Sequence, residues 1–421
     1  LKHNTVGIHQ YYEVPLDDRN EGISYEKASD ELRNLLEDSV QQRLMADVPL
    51  GVFLSGGIDS SIIAALAAKH KQNLNTFSIG FKDEPMFDET YYAELVAKKL
   101  KTNHTAFSLT NNHLFEHLFE VLDYIDEPFA DSSALNVFIL SKETRKHATV
   151  ALSGDGADEL FTGYHKHLAE CKARKGGVSA SILKNTSALW EILPKSRNGK
   201  FSNLFRQLEK FSKGLSLSEK ERYWSWASLM DEEDARNLLV NDDSVWGKEA
   251  NVRKKEILKY ITENGNYNEV LYTDVKLVLA NDMLVKVDLM SMANSLEVRV
   301  PFLDYRLVDF AFSLPPEYKI NGKMKKRILQ DAFRSQLPAE LYNRPKQGFE
   351  VPLLKWFQTE LKSLIMDDLL AEKFILEQGI FVPEKIKSIL QRLFSNNPGD
   401  AVANVWALIV FQYWWKKNMM S

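Results

Sequence analysis

A short segment rich in glycine and serine has the residue types that bind phosphate. Residues 55–61 have the sequence Ser-Gly-Gly-Ile-Asp-Ser-Ser and follow the apolar residues 50–54. Paired glycines let the backbone turn sharply, and a helix that begins there offers unpaired N–H donors and the positive end of its dipole. The segment therefore predicts a phosphate cradle. The competing interpretation is an ordinary strand-to-helix turn with Asp59 as a helix cap.

A second segment is dense in carboxylates. Residues 153–164 have the sequence Ser-Gly-Asp-Gly-Ala-Asp-Glu-Leu-Phe-Thr-Gly-Tyr, which places three acids, Asp155, Asp158 and Glu159, within five residues. Like charges at this density repel one another unless a cation neutralises them, and Mg²⁺ prefers oxygen ligands close to phosphates. The segment predicts a magnesium site, with simple capping of a helix near Ala157 as the alternative.

The elements around these segments alternate between strand and helix. Short apolar runs predict strands at residues 50–54, 76–81, 105–109 and 149–152, and amphipathic patterns predict helices at 24–45, 60–70, 91–100, 112–125 and 134–146. This alternation predicts an α/β fold with a parallel, Rossmann-like sheet covered on both faces. After about residue 165 only helical patterns follow, so the C-terminal half is expected to be mostly helical.

The two segments follow strands of the same predicted sheet. In an open parallel sheet, ligands bind beyond the carboxyl ends of the strands, near the point where the strand order reverses. Residues 55–61 follow the first strand, Gly80 lies at the end of the second, and residues 153–164 follow the fourth. We therefore expect these segments to meet in space.

Composition excludes several classes of protein. The 53 basic and 58 acidic side chains give a net charge of −5, which argues against a protein whose main task is to bind nucleic acid or an anionic membrane. No apolar stretch reaches the ~20 residues of a membrane span. The single cysteine, Cys171, excludes a disulfide framework and suits a cytoplasmic location.

Residues 55–61 closely resemble the pyrophosphate loop (PP-loop) of the ATP-pyrophosphatase superfamily, whose members split ATP into AMP and pyrophosphate. Residues 153–164 narrow the resemblance to the C-terminal synthetase domain of glutamine-hydrolysing asparagine synthetases. Two further tracts, residues 284–304 and 344–349, also resemble that family. The four motifs occur in the family's order over about residues 45–355.

The resemblance implies an adenine-nucleotide site built from both segments. ATP would be a substrate bound mainly through backbone groups and hydroxyls. The implied binding residues are Leu54 and Ile79 for adenine and ribose, Ser55, Gly56, Gly57, Ser60 and Ser61 for the phosphates, and Ser153 and Gly154 on the opposite strand.

The resemblance also implies metal ligands and catalytic residues. Asp59 and Asp158 would bind Mg²⁺, and Lys346 would contact the transferring phosphate and the acyl-adenylate. Asp155 and Tyr164 are the other implied catalytic residues.

Two residues depart from the family's pattern. Asp155 stands where some members have Glu, a residue tied to formation of the acyl-adenylate, and Thr162 stands where Gly is usual. A basic cluster at residues 323–327 is interpreted as a solvated helix start, one member of which could line the phosphate site.

The implied reaction is amidation of aspartate. Transfer of AMP to the β-carboxylate creates a leaving group, pyrophosphate departs, and ammonia attacks to give asparagine and AMP. Such chemistry depends mainly on positioning and electrostatic stabilisation. Residues 131–133 and Asp126 are candidates for aspartate recognition.

Ammonia in this family comes from a preceding glutaminase domain with an amino-terminal cysteine. This chain begins with Leu1, and Cys171 lies deep in the sequence. We therefore expect residues 1–29 to be the end of a linker from a missing glutaminase domain. Residues 30–165 would then form the core and residues 166–421 its helical partner.

Competing functions stay open. One is a related amide- or lactam-forming enzyme, or an amidotransferase, that acts on another carboxylate. Another is a non-catalytic nucleotide binder, against which Asp59, Asp158 and Lys346 argue. A homodimer is compatible with the sequence, which does not fix the oligomeric state.

Overall fold

A five-stranded parallel sheet organises the chain. The computed structural model describes residues 7–16, 22–83, 88–177, 183–184, 200–240, 245–322, 324–343, 351 and 353–420. The strands are β1 (Leu50–Phe53), β2 (Asn75–Phe81), β3 (Asn103–Leu109), β4 (Val150–Leu152) and β5 (Glu297–Arg299). Their order is β3-β2-β1-β4-β5, and every pair is parallel. The order reverses between β1 and β4, and the predicted α/β fold is confirmed.

The central strands are apolar because both of their faces are covered. β1 has the sequence Leu-Gly-Val-Phe and β4 the sequence Val-Ala-Leu, and both are buried except for the half-buried Phe53. The observed bounds of β1 to β4 differ from the predicted ones by two residues at most.

One strand lies in the half of the chain where the sequence shows only helical patterns. β5 pairs with β4 in the register Val150 to Glu297, a strand that the expectation of a mostly helical C-terminal half did not include. β5 has only three residues, two of them charged, and lies at the edge of the sheet. A segment this short has no readable alternation, which is why periodicity could not reveal it.

Helices of the first half connect the strands. They are α1 (Tyr25–Arg43), α2 (Ile58–His70), α3 (Thr90–Leu100), α4 (Asn111–Glu116), α5 (Leu118–Tyr124), α6 (Ala134–Arg145) and α7 (Ala157–Leu160). Ser24 caps α1 by accepting a hydrogen bond from the amide of Lys27. The helix predicted at residues 112–125 is observed as two shorter helices, α4 and α5.

The second half is mostly helical, as predicted. Its helices are α8 (His165–Lys175), α9 (Lys200–Gly214), α10 (Glu219–Ala227), α11 (Glu232–Leu238), α12 (Val245–Leu258), α13 (Asn268–Asp274), α14 (Leu284–Met292), α15 (Tyr305–Ser313), α16 (Pro316–Lys319), α17 (Arg327–Phe333), α18 (Leu353–Gln358), α19 (Glu372–Gln378), α20 (Pro383–Leu393) and α21 (Ala401–Met419). Two π-helices cover Val275–Met283 and Leu364–Leu369. No helix in the described ranges has the length and apolar character needed to cross a bilayer.

Two apolar cores cover the sheet, and each takes residues from both halves of the chain. The first joins Val52 and Leu152 of the sheet to α1, α2 and the segment from α15 to α17. The second joins Phe77 and Ile79 of β2 to α5, α6 and the helices from α18 to α21. The second half of the chain therefore packs against the sheet through both cores. The division into residues 30–165 and 166–421 stays a proposal.

Candidate active site

A cavity of about 850 Å³ opens at the carboxyl ends of β1, β2 and β4. Most of the site residues predicted from the sequence line it, including both acids expected to bind metal. The lining members of that set are Leu54, Ser55, Gly57, Asp59, Ser60, Ile79, Ser153, Gly154, Asp155, Asp158 and Tyr164. Lys346 lies outside the described residues.

The turn after β1 is closed by its own serines. The hydroxyls of Ser55 and Ser60 lie 3.0 Å apart, and Ser60 Oγ also accepts from the amide of Ser55 at 3.2 Å. The amide of Gly57 donates to Ser55 Oγ at 3.3 Å. Gly57 is the N-cap of α2 and provides no side-chain cap, so the first turn of the helix presents backbone donors towards the cavity.

Two of the residues predicted to bind phosphate, Gly56 and Ser61, do not line the cavity. Gly56 has a positive φ of 72°, and a Cβ there would lie 2.7 Å from the amide nitrogen of Ala93. Gly56 is therefore required for the close packing of the turn on α3. Ser61 is fully buried in the first turn of α2.

The segment at residues 153–164, here called the acidic loop, packs directly on the first turn of α2. A Cβ on Gly154 would lie 2.7 Å from the amide nitrogen of Ser60 and 3.0 Å from the carbonyl carbon of Asp59. Gly156, with a φ of 87°, is the N-cap of α7, which begins at Ala157, and it provides no side-chain cap. The two loops therefore lie in van der Waals contact.

One lysine binds both of the predicted metal ligands. Lys326 Nζ lies 2.5 Å from Asp59 Oδ2 and 2.7 Å from Asp158 Oδ1. Burial opposes the charge of this ammonium group, but the carboxylates of Asp158 and Asp59 outweigh burial and raise the pKa of Lys326 above its ordinary value. Lys326 is thus part of the site, which agrees with the alternative that one member of the cluster at residues 323–327 lines it and not with a wholly solvated face.

The acid pair fits a hard divalent cation. Asp59 Oδ1 is buried and makes no hydrogen bond to any described residue, so one carboxylate oxygen is left for another ligand. Across the described ranges there is no cluster of three or more His, Cys, Asp or Glu side chains that could hold a metal ion. Mg²⁺ often binds through one or two carboxylates together with substrate phosphates and water, which is the kind of site these residues can form.

A second buried pair of opposite charges lies beside the same cavity. Lys286, on the cavity wall, donates to Asp131 Oδ2 at 2.7 Å and to Ser133 Oγ at 3.0 Å. Burial raises the pKa of the Asp155 carboxyl, Lys286 opposes that shift, and Asp158 and Asp59 add to it. This end of the cavity therefore presents the ammonium group of Lys286 and the carboxyl group of Asp155, which takes up a proton more readily than an ordinary aspartate.

Tyr164 is held by the last acid of the loop. Its hydroxyl donates to Glu159 Oε1 at 2.6 Å. Burial and the neighbouring Asp158 raise the pKa of Glu159 to about 7. Since its hydroxyl donates to Glu159, Tyr164 has a fixed orientation on the cavity wall.

The departure from the family's pattern at Thr162 has a structural counterpart. Thr162 has a positive φ of 64°, a conformation that glycine adopts readily and a β-branched residue rarely does. Its hydroxyl donates to the carbonyl of Lys319 at 3.0 Å, which helps to hold this backbone in place.

Sequence reasoning missed Lys286 as a site residue, and it named Lys326 only as one of a cluster of which one member could line the phosphate site. Lys326 is 267 residues from Asp59 and Lys286 is 155 residues from Asp131, so no local pattern links them. The indications in the sequence were the basic cluster at residues 323–327, which contains Lys326, and the position of Lys286 within residues 284–304, the tract that resembles the asparagine synthetase family.

Comparisons with known proteins agree on one family. The family model described as asparagine synthase matches residues 31–416. The chain is 30% identical over 402 residues to glutamine-hydrolysing asparagine synthetase 1 of Bacillus subtilis, a match that covers 94% of this chain and 60% of that relative. It is 32% identical over 406 residues to a putative glutamine-hydrolysing asparagine synthetase of Mycobacterium tuberculosis, covering 95% and 59%. The chain thus spans about 60% of the length of these curated relatives.

Proposed function

The chain belongs to the asparagine synthase family, and from this we propose that it converts aspartate to asparagine at the expense of ATP. The β-carboxylate would take AMP to form β-aspartyl-AMP, with release of pyrophosphate, and ammonia would then displace AMP. The observation that carries this proposal is the meeting of Asp59 and Asp158 at one cavity, where both bind Lys326.

Nucleotide binding would use the turn after β1. Ser55 and residues 57–60 at the start of α2 line the cavity, and backbone amides and hydroxyls of this kind suit phosphate oxygens. The main chain at Leu54 and Ile79 would receive adenine and ribose. Gly56 and Ser61 would act through the shape of the turn, since neither lines the cavity.

Magnesium would be held by Asp59 and Asp158, and when bound it would neutralise charge on the phosphates. The protein's own contribution is to hold those two carboxylates side by side and to supply ammonium groups. Lys326 is placed to contact a phosphate group, and Lys346 keeps the role that the family resemblance implies. Fixed positive charges aimed at a transferring phosphoryl group stabilise the transition state without reorganisation.

Recognition of aspartate would depend on the second charge pair. Lys286 is buried, oriented by Asp131 and Ser133, and exposed to the cavity on one side. An oriented ammonium group suits the α-carboxylate of the substrate. Asp155, deep in the same cavity, suits the α-ammonium group and leaves the β-carboxylate directed towards the nucleotide.

Ammonia would come from free ammonium or from a glutaminase domain of the same protein, as the names of the relatives suggest. We expect the 421-residue chain to use ammonium, with a rate that rises with pH as more free NH₃ is present. Glutamine-supported turnover by this chain would contradict that expectation. We also propose a cytoplasmic location, because a single buried cysteine suits a reducing compartment.

A related amide- or lactam-forming enzyme is the second candidate. The observation that favours it is Asp155, a shorter acid at a position where some members of the family have Glu. A different acyl substrate would reach further towards the loop to meet this shorter side chain. Pyrophosphate release with a panel of carboxylic acids separates the two candidates.

The direct test is formation of AMP and asparagine from ATP, aspartate and ammonium. We expect both products from the unmodified chain and a fall of about 10²-fold or more in Asp59→Asn and in Lys346→Ala. Asp47→Asn, an exposed acid remote from the cavity lining, is the matched control and should retain the parent's rate. Full activity in both site variants would show that the residue assignments are wrong.

A further inference from the structure

The positive charge between the two loops is the ammonium group of a lysine of this chain, Lys326. Lys326 Nζ lies 2.5 Å from Asp59 and 2.7 Å from Asp158, and only 8% of the lysine side chain is exposed. The same carboxylates are the ones proposed to bind Mg²⁺. A buried ammonium group between two carboxylates neutralises much of their charge, so the acids have little affinity for a second cation while it is there.

The backbone holds Lys326 in this position. Its φ is 51°, it is the N-cap of α17, and its amide donates to the carbonyl of Phe161 at 3.1 Å. The lysine stem passes beside Gly163, where a Cβ would overlap both Asp158 Oδ1 and Lys326 Cε. The contact is therefore built into the packing of the acidic loop.

We propose that Lys326 and Mg²⁺ exchange at Asp59 and Asp158, so that the site accepts the metal only together with the nucleotide. The proposal rests on the proposed function, which supplies the triphosphate. Its physical basis is charge: Mg²⁺ beside a buried ammonium group is repelled, whereas phosphate oxygens give that group new acceptors and leave both acids for the metal.

The exchange has a functional consequence. An empty site would not collect divalent cations, and metal would enter as part of the nucleotide complex. After pyrophosphate leaves, the ammonium group would return to the acids and favour release of the metal. Lys326 would thus act both as a phosphate contact and as the resident counter-ion of the empty site.

Binding of Mn²⁺ without nucleotide tests the exchange, with electron paramagnetic resonance as the readout. We expect no specific Mn²⁺ binding by the unmodified chain and a gain on the order of 10- to 100-fold in affinity for Lys326→Met. Lys326→Arg retains the charge and should show no gain. Lys325→Met removes a neighbouring ammonium group that donates to the carbonyl of Gly163, and it should also show none.

Two results would overturn the exchange. The first is Mn²⁺ binding by the nucleotide-free parent that Asp59→Asn abolishes. The second is an equal response of Lys326→Met and Lys325→Met.

Thermal unfolding of the unmodified chain tests the exchange independently, and it does not require Lys326→Met to fold. We expect MgCl₂ alone to leave Tm unchanged and ATP with MgCl₂ to raise it by a few degrees. A rise with MgCl₂ alone contradicts the exchange only. Absence of any rise with ATP and MgCl₂ contradicts the proposed function and, with it, the exchange.

Discussion

At the scale of single residues, lysine and aspartate side chains around the cavity form ion pairs that neutralise one another. Lys326 binds Asp59 and Asp158, and Lys286 binds Asp131. Buried ion pairs of this kind contribute little net stability, because desolvation offsets their attraction. Each pair does, however, place an oriented ammonium group on the cavity wall.

The assignment of Lys286 to the α-carboxylate leads to a prediction about substrate analogues. In Lys286→Met the KM for aspartate should rise roughly 30- to 150-fold, because a charge-assisted contact contributes about 2–3 kcal/mol. Succinate, which retains a second carboxylate, should be affected in the same way. β-Alanine lacks the α-carboxylate and should be unaffected. The measurement is KM, or Ki against aspartate for analogues that are not turned over.

β-Alanine is the internal control in that experiment, because an unchanged constant shows that the variant is folded. An equal loss for all three compounds would contradict the assignment. A surface variant, Lys142→Met, removes an ion pair with Glu120 and should alter none of the constants.

The sequence predicts site residues where they are close together in the chain. Residues 55–61 and 153–164 were identified because each combines glycine, hydroxyl and acid side chains within a few positions. Lys286 gave no such indication, because a lone lysine on a helical pattern most often faces solvent, and Lys326 could not be distinguished from its basic neighbours at residues 323–327. Only the fold brings them to the acids, so residue type and spacing could not reveal their role.

At the scale of elements, the site depends on the contact between two loops. The turn after β1 and the acidic loop after β4 meet because these strands are neighbours at the point where the order of the sheet reverses. The loops can approach this closely because Gly154, which faces the amide of Ser60, has no side chain. The convergence was predictable from the strand alternation, whereas the closeness of the approach was not.

Gly154→Ala tests the importance of that contact. The added Cβ would lie 2.7 Å from the amide nitrogen of Ser60 and must push the loops apart. We expect ATP affinity, measured by calorimetry, to fall about 10- to 100-fold, since a misplacement near 1 Å has effects of that size. Gly22→Ala, where no atom lies within 4 Å of the added Cβ, is the control and should bind ATP normally. Parent-like affinity in Gly154→Ala would contradict the role given to this contact.

At the scale of the whole molecule, the second half completes the first. It supplies β5, Lys286 and Lys326, and it contributes to both apolar cores. Its helical character was predictable from amphipathic periodicity. The edge strand was too short to recognise, and the packing of helices on both faces depends on tertiary contacts that no periodic pattern encodes.

A buried lysine in this second half links stability to pH. Lys319 is fully buried, donates to Asn268 Oδ1 at 2.8 Å, and lies 5.0 Å from the ring centre of Phe312. Burial lowers its pKa from 10.5 to about 7. The unfolded chain therefore binds more protons between these values, and this residue's cost to folding should diminish as pH rises from about 7 towards 10.5.

Lys319→Met removes that titration. The difference in unfolding free energy between variant and parent should shift in the parent's favour, by on the order of 2–5 kcal/mol, between pH 7 and pH 10. Denaturant titrations across this range give the measurement. Lys69→Met, a partly exposed lysine paired with Glu37, is the control and should show little pH dependence. A constant difference for Lys319→Met would mean that Lys319 keeps an ordinary pKa.

We propose that this cavity transfers AMP to a carboxylate, and isotope transfer tests that proposal most directly. Aspartate labelled with ¹⁸O in its β-carboxylate is incubated with the chain, ATP, Mg²⁺ and ammonium, and the nucleotide product is examined by mass spectrometry. We predict that one labelled oxygen appears in AMP for each asparagine formed. Unlabelled AMP, or ADP with label in inorganic phosphate, would contradict the adenylate and the role of the two acidic loops in forming it.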